Sequence, residues 1–209
     1  MGKTEEINSD LIAGKAGLRR AAAKYIGKNN ITESGKLLWD AYQNELKNSK
    51  GWETQVEMIK SLGLIGFKDS KDAFYKICKE NKEHDMITSS AAKAYVRLAR
   101  LSLQDISPVL DLLTFGKFEV VSSAFEVLGE DKMMPSLNEI IFLLDYVSKS
   151  AIVKEKGYTD FRIGLVCACA GWKEIPEVVL FLNECVKEQD SFFVKVASNA
   201  LKGKYSAIS

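Results

Sequence analysis

Cysteine and histidine are the residues most often used for nucleophilic and metal chemistry, and the chain holds few of them. The cysteines Cys78, Cys167, Cys169 and Cys185 all lie in apolar segments, and no two form a Cys-x-x-Cys pair. The single histidine, His84, lies in a polar stretch. Zinc sites built from cysteine usually add imidazole ligands, so this pattern favours buried free thiols in a reducing compartment over a metal site. We therefore predict neither a metal nor a cofactor.

Motifs for catalysis are absent from the sequence. The chain has no Gly-x-Ser-x-Gly, no phosphate-binding P-loop and no Gly-x-Gly-x-x-Gly. Its carboxylates alternate with lysines along helical segments, which is typical of solvated helix faces. The tryptophans Trp39, Trp52 and Trp172 fall at helix starts or in apolar stripes, where packing explains them. These observations predict a protein that is not an enzyme.

Composition is that of an ordinary globular protein. The 209 residues are 46% apolar and 27% charged, with a formal net charge of +1. No apolar run reaches the roughly 20 residues that a membrane-spanning helix needs. The first residues fit neither a secretory signal nor a myristoylation site, because Glu6 stands where Ser or Thr is required. We expect a cytoplasmic protein with one domain over 1–209.

A short motif recurs along the chain. It is best seen as Met58-Ile-Lys-Ser-Leu-Gly63, with small or apolar residues in its first two positions and usually an apolar residue before the glycine. Further copies end at Gly27, Val96, Gly129 and Gly171, and a weaker one ends at Lys202. Their spacings of 36, 33, 33, 42 and 31 residues are those of helical repeats. Small residues allow the next helix to approach, and a glycine ends each helix so that the chain reverses.

A second apolar-periodic segment follows each of the first five copies. Each copy is therefore predicted to be a helix pair, with N-terminal residues 1–17 forming a cap and 191–209 a partial last repeat. The predicted second helices are 32–46, 70–81, 105–114, 136–152 and 176–188.

The first copy, Leu18 to Gly27 followed by Ile31 to Leu46, resembles a HEAT-type repeat. The resemblance covers roughly residues 5–204. It implies an all-α fold, a right-handed α-solenoid of about five antiparallel helix pairs, whose second helices line a concave binding surface.

The fourth copy is longer than the others, with about nine residues beyond the usual period. Its second helix is predicted to run long before a loop at Lys154 to Thr159. Insertions in repeat proteins often lie on the binding face, and loops without a role are also tolerated, so both interpretations of segment 148–160 stay open.

Charge differs between the two kinds of helix. Segments 31–47, 69–85, 103–116, 130–148 and 173–190 hold 19 acidic and 9 basic residues, whereas the remainder holds 9 acidic and 20 basic. If the second helices line the concave surface, as the resemblance implies, that surface is acidic and the opposite one basic. Acidic and aromatic residues off the apolar stripes are the predicted partner-binding residues: Asp40, Asp72, Tyr75, Asp111, Glu139, Phe142, Asp145, Tyr146, Glu177 and Glu184.

Three functions of different classes fit this pattern. The first is a protein-interaction module whose acidic groove binds a basic protein, for example an immunity or antitoxin protein that masks a basic toxin. The second is a DNA glycosylase with HEAT-like repeats, but acidic second helices would repel phosphates. The third is a scaffold subunit that binds through the solenoid ends. In that case Phe192, Phe193 and Val196 of the partial last repeat would be covered by a partner or by a second copy.

Overall fold

The computed structural model describes residues 3–12, 14–82, 85–152 and 160–208, and within these ranges it contains twelve α-helices, three short 3₁₀ turns and no strand. The predicted all-α class is confirmed. Contacts divide the chain into a first unit, Met1–Ala99, and a second unit, Arg100–Ser209. The organisation of 1–209 as one domain stays a prediction.

Helices alternate along both units as the repeat pattern predicts. The first unit contains α1 (Lys3–Ile12), α2 (Ala16–Lys28), α3 (Gly35–Glu45), α4 (Trp52–Leu64), α5 (Lys71–Glu80) and α6 (Met86–Ala99). The second unit contains α7 (Ser107–Leu113), α8 (Phe118–Glu130), α9 (Leu137–Lys149), α10 (Ile163–Ala168), α11 (Pro176–Cys185) and α12 (Ser191–Leu201). We call α2, α4, α6, α8, α10 and α12 the first helices, and α3, α5, α7, α9 and α11 the second helices.

Every predicted second helix is present and somewhat shorter than expected. Helix α9 ends at Lys149 rather than at residue 152, and α11 ends at Cys185 rather than at residue 188. Proline occupies the first turn of α7 and of α11, where its missing N–H leaves no helical hydrogen bond unmade. The predicted loop at 154–159 and His84 lie outside the described residues.

Four of the first helices end in the same turn. A residue with positive φ stands two positions after the last helical residue, at Asn30, Gly66, Lys132 and Gly203. The next N–H bonds back to a carbonyl five residues earlier, for example Phe67 N to Leu62 O at 3.1 Å and Met133 N to Leu128 O at 2.9 Å. This is the Schellman geometry. The motif glycines do not supply these reversals, because Gly27, Gly63 and Gly129 lie inside their helices and lack positive φ.

The motif glycines instead allow adjacent first helices to pack closely. A methyl group added at Gly63 of α4 would lie 2.8 Å from the Cα atom of Ala94 on α6. One added at Gly27 of α2 would lie 2.9 Å from the Cα atom of Ser61 on α4. Ser61 also donates a buried hydrogen bond of 2.7 Å to Ala23 O. Small residues at these positions therefore set the short spacing of the first helices.

Adjacent second helices approach each other less closely than adjacent first helices do, and side chains join them. In the first unit, Phe74 of α5 contacts Trp39 and Tyr42 of α3 edge-on, with ring centroids 6.2 and 5.9 Å apart. In the second unit, the Tyr146 hydroxyl of α9 donates 3.1 Å to Leu113 O at the end of α7. Within each unit the outer faces of the second helices are open to solvent.

Helix α12, which belongs to the predicted partial last repeat, is more deeply buried than that prediction implied. Phe193 and Val196 of α12 are buried within the second unit, so the expectation that a partner covers them is wrong, while Phe192 is partly exposed. Residues 204–206 then fold back. The Ser206 N–H donates to Cys167 Sγ, and the Cys167 thiol donates to Ser206 O, both at 3.3 Å.

Candidate partner-binding surface of the second helices

Acidic residues dominate the second helices of one unit only. Helices α7, α9 and α11 carry five carboxylates and one lysine, whereas α3 and α5 of the first unit carry four carboxylates and four lysines. The acidic bias that the sequence predicts for all second helices is therefore concentrated in the second unit. We call the outer faces of α7, α9 and α11 the acidic surface.

In the first unit, the predicted residues are engaged with their own neighbours. Asp40 accepts a hydrogen bond of 2.6 Å from Lys36, and Asp72 lies 3.7 Å from Lys71, although both carboxylates stay exposed, as Asp145 does. The Tyr75 ring packs against Tyr95 with centroids 4.9 Å apart, so it joins α5 to α6 rather than standing open as an anchor.

Helix α9 contributes an exposed aromatic residue and an exposed carboxylate to the acidic surface. Phe142 keeps 50% of its accessible area. Asp145, one turn later, is exposed and pairs with Lys149 at 2.8 Å. Residues three apart lie on the same helix face, so Phe142 and Asp145 point to solvent together.

Two further predicted residues of α9 have structural roles. Glu139 completes a capping box with Ser136, whose N–H donates 2.8 Å to Glu139 Oε2. The Tyr146 hydroxyl bonds to Leu113 O, and its ring meets Phe125 edge-on at 6.2 Å. Burial raises the pKa of Tyr146. Both residues support α9, and neither is a freely available contact.

Helices α7 and α11 supply the remaining carboxylates. Asp111 of α7 and both Glu177 and Glu184 of α11 are exposed. Leu180 lies one turn after Glu177 and one turn before Glu184, with 68% of its area accessible. An exposed leucine between two carboxylates on one helix face combines an apolar contact with negative charge.

A groove lies between α9 and α11. Its volume is about 390 Å³, and it is lined by Val147 and Ser148 from α9 and by Leu180, Phe181, Glu184 and Cys185 from α11. Arg162 and Glu188 complete it. Of the predicted site residues, Glu184 is therefore brought beside α9. We call this cavity the α9–α11 groove.

Sequence reasoning missed the arginine beneath this groove. Arg162 donates to Asp160 through Nε at 2.9 Å and through Nη2 at 2.7 Å, and Nη2 also donates 3.0 Å to Glu188 Oε1. Its guanidinium lies 4.6 Å from the centre of the Phe193 ring. The hydrogen bond to Asp160 raises the pKa of Arg162 further. In the sequence, only the spacing of Asp160 and Arg162 could have indicated this cluster, because its other members, Glu188 and Phe193, are distant along the chain.

A buried ion pair in the first unit was also not predicted from the sequence. The Glu45 side chain is 2% exposed and pairs with Arg19 at 2.7 Å, and Asn48 Nδ2 donates 2.8 Å to its other oxygen. The carboxylate lines a groove of about 520 Å³ beside Asp40. Because both oxygens of Glu45 already accept hydrogen bonds, its role is to fasten α3 to α2.

The thiols are arranged for packing. All four cysteines are free and buried, as predicted. Burial raises the pKa of Cys78 and of Cys185 to about 12, and it raises those of Cys167 and Cys169 as well. Protonated, enclosed thiols are poor nucleophiles and poor metal ligands. Across the ranges that the structure covers, no three histidine, cysteine or acidic side chains are grouped to hold a metal ion.

No protein-family model matches the chain, and no curated protein is significantly similar to it. Within the described ranges, no helix has both the length and the apolar character needed to cross a membrane.

Proposed function

We propose that this protein is a non-enzymatic interaction module that binds a basic protein through the acidic surface of α7, α9 and α11. The observation that carries the proposal is the presence of five carboxylates and one lysine on these three helices, with Phe142 and Leu180 exposed among them. Charge of one sign steers an oppositely charged partner, and exposed aromatic or aliphatic side chains then supply burial at the contact.

The proposal includes the arrangement of the helix pairs as a right-handed, HEAT-like α-solenoid. The recurrence of one Schellman turn after the first helices and of glycine contacts between them supports it. A cytoplasmic location belongs to the proposal too, since four free thiols suit a reducing compartment. Masking of a basic toxin is the specific role that we favour for such a module.

A capture experiment with matched charge reversals tests the function. Asp145→Lys combined with Glu177→Lys removes charge from the acidic surface without touching the capping box or the α9–α11 groove. We expect recovery of a basic partner from the native host to fall about tenfold or more, equivalent to about 1.4 kcal/mol. Lys24→Glu combined with Lys195→Glu, on exposed positions of first helices, should leave recovery unchanged.

Salt and partner identity complete the test. Raising salt from about 0.05 M to about 0.5 M should release the partner, because screening shortens the range of the attraction. Capture of an acidic protein would contradict the proposal. So would a partner whose recovery falls only with the Lys24→Glu/Lys195→Glu variant. Captured nucleic acid would support the alternative of a nucleic-acid-binding repair protein.

A further inference from the structure

The geometry points to the α9–α11 groove as the anchoring subsite of the acidic surface, which takes an apolar side chain flanked by cationic residues on an amphipathic, basic segment of the protein partner. This inference rests on the proposed function and names the place and chemistry of the contact.

The floor of the groove is apolar and already formed. Val147 and Cys185 are buried, and Phe181, which also lines the groove, is half-buried. Leu180 stands at the edge with 68% of its area exposed, so an apolar side chain entering the groove would cover it. A volume of about 390 Å³ open at this edge accommodates side chains of a partner. The favourable free energy of docking would come from removing the apolar surfaces of Leu180 and of the incoming side chain from water.

The rim of the groove is negatively charged. Glu184 lies near the C-terminal end of α11, and Glu188 follows that helix. Both carboxylates also line an adjoining cavity of about 560 Å³, together with Asp160, Asp190 and Lys187. The two cavities together are therefore lined by four carboxylates and two cations, Arg162 and Lys187, so their net charge is negative. The side chain of Glu184 is 73% exposed and pairs with the exposed Lys187 at 2.6 Å, so a cation from a partner can replace or join this pair.

Arg162 holds the rim in position. Its bonds to Asp160 and Glu188 fix the Glu188 carboxylate beside the groove, and its stacking on Phe193 ties the rim to α12. A preformed rim loses little conformational entropy when a ligand binds. An aliphatic stem over Leu180 and Phe181, with its ammonium or guanidinium beside Glu184 and Glu188, is the arrangement that this cavity fits.

Three synthetic helical peptides probe the groove directly: leucine on one face with lysine on the other, the same leucine face with glutamate, and a lysine face with serine replacing leucine. Binding to the full chain would be measured by fluorescence anisotropy, and contacts would be mapped by amide chemical shifts of residues 176–188. We expect the leucine–lysine peptide to bind about tenfold or more tightly than either of the others, with shifts centred on α11.

Leu180→Ser combined with Glu184→Lys should weaken the leucine–lysine peptide about tenfold or more. The matched control is Leu101→Ser combined with Glu80→Lys, which changes a leucine that is 93% exposed and an exposed glutamate that pairs with Lys76, both outside the groove. Its affinity should stay within about twofold of the unmodified chain, a difference below about 0.5 kcal/mol. Circular dichroism would verify that both variants are folded.

Each contrary outcome has a separate meaning. Equal binding by the groove variant and the unmodified chain, with loss in Asp145→Lys/Glu177→Lys, would overturn the groove while leaving the proposed function standing. Binding of the leucine–lysine peptide no tighter than that of the leucine–glutamate peptide would overturn both. A chain that is dimeric, and that the groove variant converts to a monomer without changing peptide affinity, would overturn the inference by making a second copy the occupant.

Discussion

Gly27, Gly63 and Gly129 show how one residue type sets a helix contact. Each lies near the end of a first helix and faces the next first helix, at Ser61, at Ala94 and at Cys167 with Ala168 respectively. A methyl group at Gly129 would lie 3.3 Å from Cys167 Sγ and from Ala168 N. At Gly27 and Gly63 the added carbon would lie within 3.0 Å of a Cα atom, a contact that rotating a side chain cannot relieve, so these two positions exclude larger residues. At Gly129 the contact is tight rather than overlapping, and a larger residue there requires α8 or α10 to shift.

Gly129→Val should lower the free energy of unfolding by about 1–3 kcal/mol, because the branched side chain would force α8 and α10 apart. Gly171→Val should lower the free energy of unfolding by less, because the added atoms contact the side chains of Tyr205 and Met134, which can rotate away. Urea unfolding measures both changes.

The control for these two variants is Gly17→Val, in the first turn of α2 where nothing lies within 4 Å. It should change stability by no more than about 0.5 kcal/mol. Equal costs at all three positions would show that the close approach of α8 and α10 does not matter.

Helix α9 shows how one element combines support and recognition. Its first turn is closed by the reciprocal bonds of Ser136 and Glu139, and its inner face packs through Ile140, Leu143 and Val147. The outer face then presents Phe142 and Asp145 to solvent. Because Glu139 serves the cap, a binding test that reverses its charge would also disturb the helix. Reversing Asp145 or Glu177 disturbs less, because it changes only an exposed pair with Lys149 and a first-turn charge of α11, each contributing a few tenths of a kcal/mol.

Ser136→Ala should destabilise the second unit by about 1 kcal/mol, because the N–H of Glu139 would lose its acceptor and the box would be broken. Thermal unfolding followed by circular dichroism measures the change. Ser148→Ala in the last turn of the same helix removes an exposed serine whose hydroxyl bonds only within the helix, and it should be near neutral. A larger loss at Ser148 than at Ser136 would contradict the capping role.

Across the whole molecule, the buried thiols predict an alkaline limit to stability. A cysteine in the unfolded chain ionises near pH 8.5, whereas burial raises the pKa of Cys78 and Cys185 to about 12. The unfolded state therefore binds fewer protons than the native state between these values. The stabilisation is complete below about pH 8.5 and is lost as the pH rises towards 12.

Urea unfolding under reducing conditions at a series of pH values should show the free energy of unfolding falling above about pH 8.5, by up to about 1.4 kcal/mol per pH unit for each thiol. Cys185→Ala should reduce that slope by the share of one thiol. A stability that stays constant up to about pH 10, where tyrosine and lysine begin to titrate, would contradict the burial of the thiols in solution.

The sequence by itself determined the helices and their order. The 3.6-residue apolar period, the small-residue motif and the recurring spacing located every second helix to within a few residues, because these signals arise from neighbours along the chain. The same local information predicted buried, free cysteines. It also identified Phe142, Asp145, Glu177 and Glu184 as surface residues, since each lies opposite an apolar stripe.

Only the tertiary structure decided which surface residues are available for binding and where they meet. Tyr75 and Tyr146 are used for packing, and a cavity between α9 and α11 brings Arg162, Leu180 and Glu188 together from separate segments. The motif glycines serve helix contact rather than chain reversal, which falls to residues such as Asn30 and Lys132. Local sequence carries helix periodicity, but the spacing between helices depends on which side chains from distant repeats face each other, and no local pattern records that pairing.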